Sequence, residues 1–136
     1  MKVKVSRKAH FNAAHRLYRS DWSDDKNNSI FGKCSNKNFH GHNYELIVSV
    51  RGEIDSDTGY VIDMKRLKDL IKSEIEDAFD HKNLNIEVPE FHNLNPTAEN
   101  IVVVIYNKLF MHMKDGHELE VVLYETPRNF VKFSGQ

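Results

Sequence analysis

The sequence predicts an α+β fold, and three observations predict it. Apolar and polar residues alternate over 43–51, two segments further on carry apolar residues every three or four positions, and apolar runs close the chain. Strands that arrive in neighbouring pairs around two helices are most economically satisfied by an antiparallel sheet with both helices on one face.

Residues 2–14 read as the first strand, with Val3, Val5 and Phe11 sharing one parity. Residues 19–38 are rich in Asn, Asp, Ser and Lys and lack periodicity, so they read as a long loop, which in a compact domain is usually functional or disordered. From 43 to 51 Tyr44, Leu46, Val48 and Val50 point one way, with Asn43, Glu45, Ser49 and Arg51 opposite. Gly52 to Gly59 supply turn chemistry, and Tyr60-Val61-Ile62 reads as a short returning strand.

Asp63 stands where a helix N-cap belongs, ahead of an apolar stripe of Met64, Leu67, Leu70, Ile71, Ile75, Ala78 and Phe79. Residues 80–95 read as loop. A second helix starts near Pro96-Thr97-Ala98-Glu99, with Thr97 or Asn95 as cap, and Gly116 is expected to end it. Leu119 to Tyr124 is a dense apolar strand, and Phe130 to Phe133 follows a turn at 127–129.

The chain has 136 residues, with 19 Lys and Arg against 20 Asp and Glu, so no basic excess exists to hold a nucleic-acid backbone. No apolar run reaches the ~18 residues of a membrane span, and Met1 to Lys8 has no apolar core of the signal-peptide kind. Cys34, the single cysteine, excludes an internal disulfide. The expectation is one soluble, cytoplasmic domain over 1–136, with neither nucleic acid nor membrane as partner.

Chemistry concentrates in the eight histidines and a few neighbours. His40 and His42 flank Gly41 at the mouth of a strand, so both imidazoles project from one face. His15 has the parity of Phe11 and Ala13, and an antiparallel neighbour would bring it alongside. Three imidazoles with an open fourth position are a recurring zinc set; chance surface histidines are the competing reading, because no spacing rule selects His15. Cys34 reads as a small buried hydrophobe, as a fourth zinc ligand of a closed site, or as a thiolate base or nucleophile. Asp80-His81 reads as a solvated loop pair or as a histidine oriented by a carboxylate, and the second reading needs a turn between adjacent residues. Glu125 shares the parity of Val121 and Leu123, so it faces inward either as a salt-bridge partner or as a ligand anchor.

Seven segments, taken in order, resemble the 6-pyruvoyl-tetrahydropterin synthase family, which includes 6-carboxytetrahydropterin synthase. They are Phe11-Asn12-Ala13-Ala14-His15-Arg16-Leu17, Gly32-Lys33-Cys34, His40-Gly41-His42-Asn43-Tyr44, Gly52-Glu53-Ile54-Asp55, Asp80-His81-Lys82-Asn83-Leu84-Asn85, Pro96-Thr97-Ala98-Glu99-Asn100 and Tyr124-Glu125-Thr126. The resemblance implies zinc on His15, His40 and His42, Cys34 as proton acceptor, Asp80 and His81 as a catalytic pair, and Glu125 as the pterin anchor. It also implies the tunnelling fold, a four-stranded antiparallel sheet with two helices on one face. Trimers close that sheet into a barrel, and two trimers stack into a homohexamer.

The implied reaction takes 7,8-dihydroneopterin triphosphate, a small-molecule pterin triphosphate, to 6-pyruvoyl-tetrahydropterin with loss of triphosphate, as in tetrahydrobiopterin biosynthesis. Five residues separate Cys34 from His40, which resembles the pyruvoyl branch more than the shorter spacing of the carboxy branch. A 6-carboxytetrahydropterin synthase of queuosine biosynthesis is the alternative on the same substrate. A non-catalytic pterin- or zinc-binding protein is the alternative of another class, and Cys34, Asp80 and His81 argue against it because a binder has no use for an acid–base set. Arg16, Lys33, Arg128 and Lys132 are candidates for the triphosphate.

Overall fold

The computed structural model describes residues 1–136. Two fourteen-residue strands form its spine: β1 (Lys2–His15) and β2 (His40–Glu53) pair antiparallel from Lys2↔Glu53 to His15↔His40. β4 (Glu118–Tyr124) continues the sheet beyond β2, from Glu45↔Tyr124 to Arg51↔Glu118, and β5 (Phe130–Phe133) pairs antiparallel with β4 at the edge.

The sheet departs from the four-stranded antiparallel expectation. A two-residue strand, β3 (Lys82–Asn83), pairs parallel with β1 at Ala13 and Ala14, giving a mixed five-stranded sheet of order β3-β1-β2-β4-β5. The cause is local. The His81 N–H donates to the Asn12 carbonyl at 2.6 Å, so the chain leaving the long helical segment docks on the free edge of β1. A contact of two residues leaves no alternation to read.

Between the strands, α1 (Asp24–Phe31) and a 3₁₀ turn (Gly32–Ser35) occupy the segment expected to be loop. Ser23 caps α1 by accepting the Lys26 N–H at 3.1 Å, and Asp24 and Asp25 sit at the favourable end of its dipole. Its one buried residue is Asn27, so no apolar stripe announces it. Tyr60–Ile62 is not a strand. Val61 and Ile62 enter the core from a loop, and the Val61 carbonyl is taken by His117 Nε2 at 3.0 Å instead of a ladder.

The first long helix runs through α2 (Met64–Ile71), a π-helical turn (Lys72–Glu76) and α3 (Asp77–Phe79), capped by Asp63 on the Lys65 N–H at 3.0 Å. After β3, the remaining expected loop holds α4 (Leu84–Glu87) and a 3₁₀ turn (Pro89–Phe91). The second long helix is α5 (Ala98–Phe110), and Thr97 rather than Asn95 caps it. It stops short of Gly116, whose φ of 90° instead turns the chain into β4.

Leu67, Ile71, Ile75 and Phe79 of the first helical segment, with Ile101, Ile105 and Leu109 of α5, join Phe11, Tyr44, Leu46, Val48 and Val121 in one buried cluster. Both helices therefore cover the same face of the sheet. Phe11 stacks on Tyr44 with centroids 4.9 Å apart, and Phe79 meets Phe11 edge-on at 5.4 Å. The opposite face is polar along much of its length, with Lys4 to Glu120 at 3.3 Å, Arg51 to Glu118 at 2.7 Å and Ser6 to Ser49 at 2.7 Å. No helix is long and apolar enough to cross a membrane.

Candidate functional site

The register of β1 and β2 decides the site. His15 stands directly opposite His40, and Ala13 opposite His42, so the three imidazoles rise from the helix-covered face at one end of the sheet. Their ligand atoms all lie within 4.8 Å of one another, a group that could hold a metal ion. Gly41 eases the close approach of the two strands here: a Cβ at this position would stand 3.3 Å from the Ala13 carbonyl oxygen, a tight contact.

The donor set fits a cation. His15 is 1% exposed, and its Nδ1 donates to the Pro96 carbonyl at 2.7 Å, which leaves Nε2 with its lone pair. That Nε2 lies 3.0 Å from His40 Nε2. His40 Nδ1 is buried with no hydrogen-bond partner, and tetrahedral bonds of ~2.05 Å would set neighbouring nitrogens about 3.3 Å apart. Burial pushes the His15 pKa down to about 4; the Pro96 carbonyl works against this, and His40 and His42 add to it. Burial likewise lowers His42, with Glu125 opposing and His40 assisting. Both are neutral near pH 7, the form a metal requires.

Tyr44 closes the floor. Its hydroxyl lies 3.3 Å from His15 Nδ1, and its ring meets those of His15 and His42 edge-on. Burial raises its pKa, with Glu125 and Cys34 nearby adding to the effect. Glu125 is the first residue past β4, on the parity of Val121 and Leu123 and hence on the same face as the histidines.

Cys34 reaches the site through backbone bonds. The Leu17 N–H donates to its carbonyl at 2.8 Å and Arg16 Nε to the Ser35 carbonyl at 2.8 Å, so the 3₁₀ turn is laced to the chain just past His15. The thiol is half-buried and stands outside the three-histidine group.

Asp80 and His81 form a pair of their own on the outer edge of β1. Asp80 Oδ1 accepts the Asn12 N–H at 2.8 Å, and Oδ2 lies 3.0 Å from His81 Nδ1. The Asn12 N–H, more than His81, holds the Asp80 carboxyl below the usual carboxylate range. The His81 side chain is 83% exposed, pairs with Asp80 and stands outside the three-histidine group. The structure thus gathers His15, His40, His42, Glu125 and Cys34 at one end and keeps Asp80–His81 apart. Of the triphosphate candidates, Lys132 sits opposite Val122 on the polar face, away from the histidines.

Sequence reasoning passed over Pro96, whose carbonyl fixes the His15 ring, and Tyr44, read only as a core residue. A main-chain acceptor has no side-chain signature, and the 96–99 segment, read as a helix start and as part of the family resemblance, named no role for its carbonyls.

Proteins of similar sequence and fold are known. The family model described as 6-pyruvoyl tetrahydropterin synthase matches residues 4–136. A 6-pyruvoyl tetrahydrobiopterin synthase of Pongo abelii is 44% identical over 134 residues, 98% of this chain and 92% of that protein. The solved Caenorhabditis elegans 6-pyruvoyl tetrahydropterin synthase superposes with a TM-score of 0.93 at 37% identity, covering 100% of this chain and 97% of that one. A 6-carboxy-5,6,7,8-tetrahydropterin synthase of Rickettsia bellii is 27% identical, over 96% of this chain and 99% of its own.

Proposed function

The chain belongs to the 6-pyruvoyl tetrahydropterin synthase family, and from that premise we propose that it converts 7,8-dihydroneopterin triphosphate to 6-pyruvoyl-tetrahydropterin with loss of triphosphate. The observation that carries this reading is the all-imidazole group beside Glu125, with the only thiol close by but outside it. A closed structural site would take that thiol as a fourth ligand.

The reaction redistributes protons along the side chain and needs no external redox partner. His15, His40 and His42 would hold zinc, which when bound acts as a Lewis acid on the side-chain oxygens and stabilises negative charge developing there. Glu125 accepts two parallel hydrogen bonds, from the pterin N3–H and the 2-amino group, and so fixes the ring. Cys34, as thiolate, takes the proton from the side-chain carbon. His81, oriented by Asp80, handles the second proton.

These roles need groups that one chain keeps apart, and this supports an oligomer in which a neighbour's Asp80–His81 completes the site. Phe130, 56% exposed on the edge strand β5, adds an unpaired border of the kind that oligomeric closure covers. We read the assembly as trimeric barrels stacked into a hexamer.

The higher identity to pyruvoyl-branch relatives, 44% against 27%, favours that branch. Mass spectrometry after incubation with 7,8-dihydroneopterin triphosphate tests the assignment. The expected product is 6-pyruvoyl-tetrahydropterin with free triphosphate. A 6-carboxy product with acetaldehyde would move the chain to the other branch, and tight binding without turnover would make it a binder.

A further inference from the structure

His15 is held from two directions, and both holds pass through one asparagine. Its Nδ1 donates to the buried Pro96 carbonyl at 2.7 Å. Asn95, next to that proline, accepts the Tyr18 N–H on its side-chain oxygen at 3.1 Å, which fixes the chain three residues past His15. The Asn95 carbonyl takes two donors, the Thr97 N–H at 2.8 Å and Asn100 Nδ2 at 2.8 Å. The first closes a three-residue turn with Pro96 at its apex, where the ring's fixed φ limits the ways the apical carbonyl can swing. The second locks that turn onto the first turn of α5.

We propose that Asn95 and Asn100 are positioning residues for His15: through the Pro96 carbonyl they hold the ring as its Nδ1–H tautomer, with Nε2 presented to the metal position. The inference rests on the zinc reading given above. A ligating histidine needs its second nitrogen engaged, or its tautomer and ring angle drift, and such outer partners typically govern metal affinity by 10- to 100-fold.

The bond from Asn100 is not ordinary helix capping. Thr97 already supplies the cap, accepting the Asn100 N–H on Oγ1 at 3.2 Å. The Asn100 side chain instead reaches back outside the helix. At this third helical position the dipole favours a carboxylate, and the chain places a neutral amide donor there.

That contrast supplies the test. Asn100→Asp keeps the side-chain shape and suits the helix dipole, but sets a carboxylate against the Asn95 carbonyl. Asn100→Ala removes the donor without adding charge. In the metal-free protein, long-range ¹⁵N NMR of the His15 ring should show one Nδ1–H tautomer in the wild type and a mixture in both variants. Zinc affinity from chelator competition should fall about tenfold or more, with the metal-free Asn100→Asp melting no lower than the metal-free wild type. Asn95→Asp keeps the acceptor for Tyr18 and should bind zinc as the wild type does, whereas Asn95→Leu should not. A single wild-type tautomer and unchanged zinc affinity in Asn100→Asp would overturn the inference. Failure of the wild type to bind zinc would overturn the zinc reading instead, and the tautomer comparison would still decide the positioning role.

Discussion

His81 folds back onto the carboxylate that precedes it: its Nδ1 lies 3.0 Å from Asp80 Oδ2. Adjacent side chains normally diverge, and this pair meets because His81 sits at φ 59°, in the left-handed region that costs a non-glycine residue of order 1 kcal/mol or more. The two residues clasp the Asn12 peptide, Asp80 accepting its N–H and the His81 N–H donating to its carbonyl. The strain is therefore tied to a histidine whose outer nitrogen is free to work.

Asp80→Asn should leave the fold and zinc content intact and lower kcat by roughly 100-fold, since an amide facing Nδ1 no longer selects its N–H form or stabilises the imidazolium. Steady-state kinetics check this. A loss confined to KM would assign Asp80 to substrate binding instead.

Metal removal should act on stability as well as on turnover. A ligand present at 100 times its Kd stabilises the folded state by about 2.7 kcal/mol, so chelation should lower the melting temperature and zinc should restore it. His42→Ala should remove most bound metal and that response together. X-ray absorption should show nitrogen and oxygen ligands only; a sulfur ligand would replace the open site with a closed Cys34–His₃ one.

The sheet and both long helices were legible because their apolar residues sit at the right period, and the caps Asp63 and Thr97 were legible as residue types. Two kinds of element were not. α1 buries only Asn27 and is held by its cap and by side-chain bonds to the Arg19 backbone, so its helicity has no hydrophobic period. β3 is an edge contact made by two residues. At the site, residue types named the histidines, but only the β1–β2 register brings His15 opposite His40.

Cys34→Ala should lose turnover by about 100- to 10,000-fold while zinc content and pterin affinity hold, because a general base acts in the transition state. Glu125→Gln should do the reverse, weakening pterin binding by roughly 10- to 100-fold, the worth of ~1.5–3 kcal/mol for a hydrogen bond to a charged group. Equilibrium binding of a non-reactive pterin separates the two. Near-normal turnover in Cys34→Ala would assign the base elsewhere.

Metal-free protein should lose stability in mild acid through His15. Its pKa is about 4 in the folded chain against an ordinary 6.5, so between those values the unfolded chain binds the extra proton. The stabilisation is full above 6.5 and is lost as pH falls towards 4, with a slope up to ~1.4 kcal/mol per pH unit. His15→Gln, which cannot titrate, should flatten the urea midpoint across this window. An equal slope in both proteins would point to other groups.

The division between Cys34 and Asp80–His81 leads to the sharpest test of the assembly. In one chain, Cys34 is laced to the end of β1 near the histidines, while the His81 side chain is exposed on that strand's outer edge. If a site draws Cys34 from one subunit and His81 from its neighbour, subunits carrying Cys34→Ala and subunits carrying His81→Ala are each inactive alone. Unfolded together and reassembled in equal amounts, they pair an intact Cys34 with an intact His81 at half times half of the contacts. Activity should return to about a quarter of wild type for a closed symmetric ring. Size-exclusion chromatography and native mass spectrometry would establish that the oligomers are mixed. Absence of any recovery in such mixtures would place the whole acid–base set within one chain, and would require the exposed His81 to swing towards its own Cys34.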